Sequence, residues 1–120
     1  MGKCKKPKRI KLPSVIRVAA FDVAIKNWNH LSATANGMFG SWSAVESTVR
    51  VDTTVAPMKV LDTLLHELGH AIYWAYGMDD EDKEERIVGT FATAWAQIYR
   101  DNPDFLKLIP EIIAMADSRV

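Results

Sequence analysis

The chain has a single cysteine, Cys4, so no intrachain disulfide can form, and its 120 residues must be held by an ordinary buried core. One thiol suits a reducing compartment, and Cys4, set among lysines, reads as incidental rather than as a nucleophile. There is no Gly-rich phosphate loop, no C-x-x-C pair and no Ser-His-Asp arrangement, which removes the common nucleotide-binding, redox and serine-nucleophile readings. No apolar run approaches the ~20 residues of a membrane span. The basic N terminus followed by VIRVAAFDVAI has the outline of a signal peptide. Arg17 and Asp22 interrupt it, however, and no small-residue cleavage site follows. Lys6 stands where a myristoylation signal needs Ser or Thr. The expectation is a soluble, cytoplasmic protein without membrane contact.

Acid is missing from the first 17 residues. They carry Lys3, Lys5, Lys6, Lys8, Arg9, Lys11 and Arg17, while the rest has 8 basic against 15 acidic residues. The zero net charge therefore hides a basic tail, taken as residues 1–12 and expected to be flexible, ahead of a single domain at 13–120. Such a tail can touch phosphates or an acidic partner. No aromatic residue interleaves its charges as a nucleic-acid stacking surface requires, so a solvated tail is the simpler expectation.

The first half of the domain reads as strands. Ile16 to Trp28 is rich in β-branched and aromatic residues, and Asn36-Gly37 and Gly40-Ser41 are turn signals. Met38-Phe39 and Val45 to Val51 look like further short strands, the latter ending in the alternating STVRVD. A small antiparallel sheet is expected. The second half is helical. Thr53 or Thr54 can cap a helix that begins near Pro57, and Leu61, Leu64, Leu65, Leu68, Ile72 and Tyr76 give it one apolar face. Gly77 should end it. The acidic MDDEDKEE leads into a helix over about Glu84 to Arg100, and Asn102-Pro103 separates that from a last helix, FLKLIPEIIAMA, which Pro110 is expected to kink. Strands first and helices afterwards make an α+β fold.

On the first strong helix, residues 66–70 read HELGH. With a rise of ~1.5 Å per residue, His66 and His70 lie one turn apart on nearly the same face, where two neutral imidazoles can reach one ion. Glu67 is turned by ~100° and can reach a water beside that ion without ligating it. This is the physical content of H-E-x-x-H: two zinc ligands and a carboxylate general base. Gly69, in mid-helix, costs ~1 kcal/mol relative to Ala, which makes sense where another backbone or a substrate comes close. The competing reading is a pair of satisfied core histidines, since Leu65, Leu68, Ala71 and Ile72 surround the motif.

A catalytic zinc needs a third protein ligand and an open position. No histidine follows His70, and His30 lies upstream among the strands, so a carboxylate of the second helix is expected; Glu84 and Glu85 both qualify by position. HELGH followed by EERIVGTFA resembles the gluzincin metallopeptidases, in which a second helix supplies a Glu in the form E-x-x-A-D or E-x-x-A-N, often followed by x-F-A. Glu85, Val88, Gly89, Phe91 and Ala92 fall on that frame. The longer run HELGHAIYWAYGMDDEDKEERIVGTFATAWAQIYRDNP is similar to small phage- and prophage-encoded metallopeptidases, over about residues 45–105. The resemblance implies a minimal zincin-like fold, a Zn2+ cofactor, a peptide or protein substrate and the host cytoplasm as its place of action. It makes Glu85 the third ligand. Helical phase gives a different order, since Glu84 is nearer the centre of the apolar face formed by Val88, Phe91, Trp95 and Ile98. Glu85 is taken first and Glu84 second. Gly89 departs from the family's Asp or Asn, which would steady a ligand histidine, and Asp62 is a candidate substitute.

An oxyanion donor could come from Tyr73, Tyr76, Tyr99, His30 or Arg50. Trp74 and Trp95 read as core. STVRVD resembles the edge strand on which gluzincins lay an extended substrate. The expected function is therefore a zinc metallopeptidase with His66, His70 and Glu85 as ligands and Glu67 as base. The alternative is a zincin-like binding module with a structural or vestigial metal, which contacts nucleic acid or a partner protein through its basic tail.

Overall fold

Ile16 and Val18 alternate with exposed neighbours along the first strand, as a sheet with one covered face requires. The computed structural model describes residues 10–118. Cys4 and most of the expected tail lie outside the described residues, while Ile10 is already buried in the core. The elements are β1 (Val15–Val18), β2 (Phe21–Asn27), α1 (His30–Ala35), β3 (Gly40–Ser43), β4 (Thr48–Val51), α2 (Pro57–Ala75), α3 (Glu84–Asp101) and α4 (Pro103–Asp117). The fold is α+β, with four strands and four helices among the described residues.

The single strand expected over Ile16 to Trp28 is a hairpin. Its turn has no Gly or Asn to announce it: Ala19 itself takes a left-handed φ of 54°. A side chain from far along the chain holds it there. Gln97 of α3 accepts from the Ala19 amide at 2.7 Å and donates to the Arg17 carbonyl at 2.9 Å. After β2, Asn29 caps α1 by accepting from the amides of Leu31 and Ser32, and this short helix, unforeseen in the sequence, carries the chain to the far side of the sheet.

The strand order is β1-β2-β4-β3, with β2 and β4 parallel and the other pairs antiparallel. The sheet is thus mixed rather than antiparallel, because α1 delivers β3 to the outer edge and β4 then fills the gap beside β2. The expectation that STVRVD is an edge strand is overturned: β4 is paired on both sides, and β3 is the free edge next to the long helix.

α2 lays Val60, Leu64, Leu68 and Ile72 on the sheet, and Phe105, Leu108 and Ile112 of α4 join the same core. Each large apolar side chain so buried contributes ~1.5–3 kcal/mol. Pro57 occupies the first turn of α2, as expected, but neither Thr53 nor Thr54 caps it. Ala56 holds the cap position without a side-chain bond, and the Thr54 amide and hydroxyl are both taken by Asp52. Gly77, at φ 61°, turns the chain away after α2. Val88 is 58% exposed, so the buried stripe of α3 begins later than expected and centres on Ala94 and Ile98. No helix among the described residues is long and apolar enough to cross a membrane.

Candidate metal centre

The apolar stripe of α2 fixes its rotation, and with it the motif. Leu64, Leu68 and Ile72 point into the core, which leaves His66 and His70 on the opposite, open side. Their Nε2 atoms lie 3.2 Å apart, and their rings meet edge to face at 77°. Two such nitrogens can share one proton in a hydrogen bond, or turn two lone pairs on one cation. For zinc with Zn–N bonds of ~2.0–2.1 Å in a tetrahedral site, two ligand nitrogens stand about 3.3–3.4 Å apart. The separation of the pair therefore matches the spacing of two zinc ligands.

Glu67 faces a different way. It is only 8% exposed and lies beneath the edge strand. Gly40 makes this possible: a Cβ at that position would stand 2.5 Å from Thr63 Cγ2, 3.0 Å from the Arg50 carbonyl oxygen and 3.2 Å from Glu67 Cγ. The Gly40-Ser41 signal is thus a close crossing of strand and helix rather than a turn. Among the described residues the Glu67 carboxylate accepts no hydrogen bond, and no fully buried polar side-chain atom lacks a partner, so its oxygens open outward. They open on a cavity of about 260 Å³ walled by Phe39, Gly40, Lys59, Thr63 and His66. No protein donor among the described residues engages them, so they can accept a hydrogen bond from a molecule in that cavity.

His66 also borders a second cavity, of about 420 Å³, which it shares with His70, Tyr73, Asp80 and Phe91. The structure thus brings His66, His70 and Glu67 together, with a cavity on either side of the first histidine. It does not bring in Glu85. Glu84 and Glu85 are exposed in the first turn of α3 and line neither cavity. Among the described residues no three His, Cys, Asp or Glu side chains stand close enough to hold a metal. Helix register explains this. Phe91 faces Gly69, while Arg86 reaches the Tyr76 carbonyl at 3.4 Å, so Glu85 is level with the end of α2, beyond His70.

Asp62 does not steady His66. It is exposed and stands 3.8 Å from Lys59. Gly69 is under no steric demand, since an added Cβ would meet only Phe91 Cε1 at 3.9 Å. His30 is committed elsewhere: its Nδ1 bonds the buried Asp52 at the β4–α2 connection. Burial alone would push the Asp52 carboxyl up, but hydrogen bonds from Thr54 and His30 outweigh it and hold the group below the ordinary aspartate range. Arg50 pairs with Glu46 at 2.8 Å, and Tyr99 packs between Trp95 and Phe105. Tyr73 alone of the expected oxyanion donors lines a cavity with the histidines, and its hydroxyl proton is spent on Asp80 at 3.1 Å. Partial burial and that carboxylate push the phenol upward. Trp74, expected in the core, is 41% exposed and tilts against Phe21 and Trp42.

Sequence reasoning missed Asp80, which sits in an acidic run that reads as solvated. The available signal was Tyr73, three residues after His70 and therefore on a neighbouring part of the same helix face. No protein-family profile, curated protein or solved structure matches the chain.

Proposed function

We propose that the protein is a zinc-dependent peptidase in which His66 and His70 hold the metal and Glu67 acts as general base. The observation that carries this reading is the convergence of the two Nε2 atoms at 3.2 Å next to a buried carboxylate that has no hydrogen-bond partner among the described residues. A satisfied core-histidine pair would give no reason for Glu67 to be kept under Gly40 without a donor. Zinc, when bound, supplies a Lewis acid that polarises a carbonyl and makes water a competent nucleophile near neutral pH. The third ligand is a carboxylate from the acidic segment between α2 and α3 or from the start of α3, where Glu85 stands.

The chain's own residues do the rest. Glu67 takes the proton from the attacking water and passes it to the leaving amine. The free edge of β3 offers unpaired backbone groups to an extended polypeptide, which orients a scissile bond above the motif with little demand on side-chain identity. The cavity beside Phe39 and Lys59 receives a side chain of that polypeptide. The place of action is the cytoplasm, where the single thiol stays reduced.

The test is Glu67→Gln, which keeps size and hydrogen bonding but removes the basic lone pair. Hydrolysis of unfolded protein substrates should fall about 100-fold or more while zinc affinity stays within a few-fold. Equal hydrolysis by the variant and the wild type over a broad set of denatured proteins and peptides would reject the peptidase.

A further inference from the structure

The cavity shared by both histidines contains one carboxylate. Its wall is formed by His66, Gly69, His70, Tyr73, Asp80 and Phe91, and Asp80 is the one acid among them. We infer that Asp80, rather than Glu85, is the third protein ligand of the zinc held by His66 and His70, with the Tyr73 hydroxyl orienting its carboxylate. This rests on the metallopeptidase reading and completes its ligand set.

Of the neighbouring acids, Asp79 and Asp82 are occupied, and Glu81 does not line the cavity. Asp79 accepts from the Glu81 amide at 2.9 Å, and Asp82 accepts from the Asp79 amide at 2.8 Å and pairs with Arg86 at 2.7 Å. Both hold the turn together from within. Asp80 makes no such bond among the described residues. Its Oδ1 accepts from Tyr73, on the same face of α2 as His70, and no hydrogen bond to Oδ2 is found among the described residues. A ligating carboxylate whose second oxygen is fixed by a neighbouring donor is the usual arrangement around a protein-bound metal. Two neutral imidazoles and one carboxylate also leave the fourth position open, as hydrolysis requires.

The turn is anchored where it leaves the helix. Gly77 takes φ 61°, the Met78 amide donates to the Tyr73 carbonyl at 3.0 Å, and the Met78 side chain is buried. Asp80 follows two residues later and is exposed. The three donors do not form a closed group among the described residues, so a zinc ion held by all three would require the exposed part of the turn to stand closer to the histidines.

The experiment uses the full chain, with zinc affinity measured by competition against a chromophoric chelator and cobalt(II) absorption as a second readout. Asp80→Asn retains the acceptor for Tyr73 but removes the charge. It should lower zinc affinity about 100-fold or more and change the cobalt spectrum, with the metal-free melting curve unaltered. Tyr73→Phe should lower affinity about 10–100-fold, the scale for losing a ligand-orienting bond. Glu85→Gln should stay within about three-fold of the wild type. Asp80→Asn within three-fold of the wild type, or Glu85→Gln costing more than Asp80→Asn, overturns the assignment of Asp80. His70→Ala separates the two levels. If it abolishes binding and Asp80→Asn does not, only Asp80 falls. If the wild type binds zinc no better than His70→Ala, the metal reading itself falls with it.

Discussion

Gly40→Ala tests how the edge strand and the motif helix are fitted together. The added Cβ would lie 2.5 Å from Thr63 Cγ2, against an optimal carbon–carbon separation of ~3.5–4.0 Å. Thr63 is 6% exposed, which leaves its methyl little room, and the Arg50 carbonyl closes the other side at 3.0 Å. Either β3 or α2 must give way. Overpacking of this kind costs ~1–3 kcal/mol. At roughly 4 °C per kcal/mol for a domain of this size, melting should fall by about 4–12 °C. The assay is a double-mutant cycle with Thr63→Ser, which deletes the clashing methyl. In the Thr63→Ser background the cost of Gly40→Ala should shrink by about 1 kcal/mol or more. A cost below about 0.5 kcal/mol, or an equal cost in both backgrounds, would show that the crossing above Glu67 does not require Gly40.

Gly69→Ala should act in the opposite direction. With only Phe91 Cε1 within reach at 3.9 Å, the methyl fits, and the gain in helix propensity should raise stability by up to ~1 kcal/mol in chemical denaturation. The Asp52 carboxyl is held below its ordinary value in the folded state, so the folded protein binds that proton less readily than the unfolded chain. Its contribution to stability is present above an unfolded value of ~3.9 and is lost as pH falls through the lower folded value. Asp52→Asn should therefore flatten the acid limb of the stability–pH curve below about pH 4. An acid limb identical to the wild type would show that the Asp52–Thr54–His30 bonds do not persist in solution.

The helical half was legible because its signals are local. The 3.6-residue spacing of leucines located α2, Gly77 ended it, and Asn102-Pro103 separated α3 from α4. The orientation of His66 and His70 followed from the same periodicity. What was illegible depended on partners distant in the chain. The Ala19 turn is set by Gln97, 78 residues away, and no local propensity announces it. The parallel pairing of β2 with β4 depends on where α1 returns the chain, which strand patterns do not encode. The placement of Glu85 depends on how α3 docks on β1 and α4, and a motif frame carries no information about that docking. Asp80 was hidden for a related reason: in the run from Asp79 to Glu85, where every residue but Lys83 is acidic, composition cannot say which one faces a cavity.

The most direct measurement is the zinc content of the full chain after equilibration with zinc at neutral pH and removal of free metal, by elemental analysis. About one zinc per chain is expected in the wild type and in Glu67→Gln, and its loss in His66→Ala and His70→Ala, with all four proteins folded. Absence of zinc from the wild type, or retention of it by both histidine variants, would contradict the claim that the two imidazoles converge on a metal.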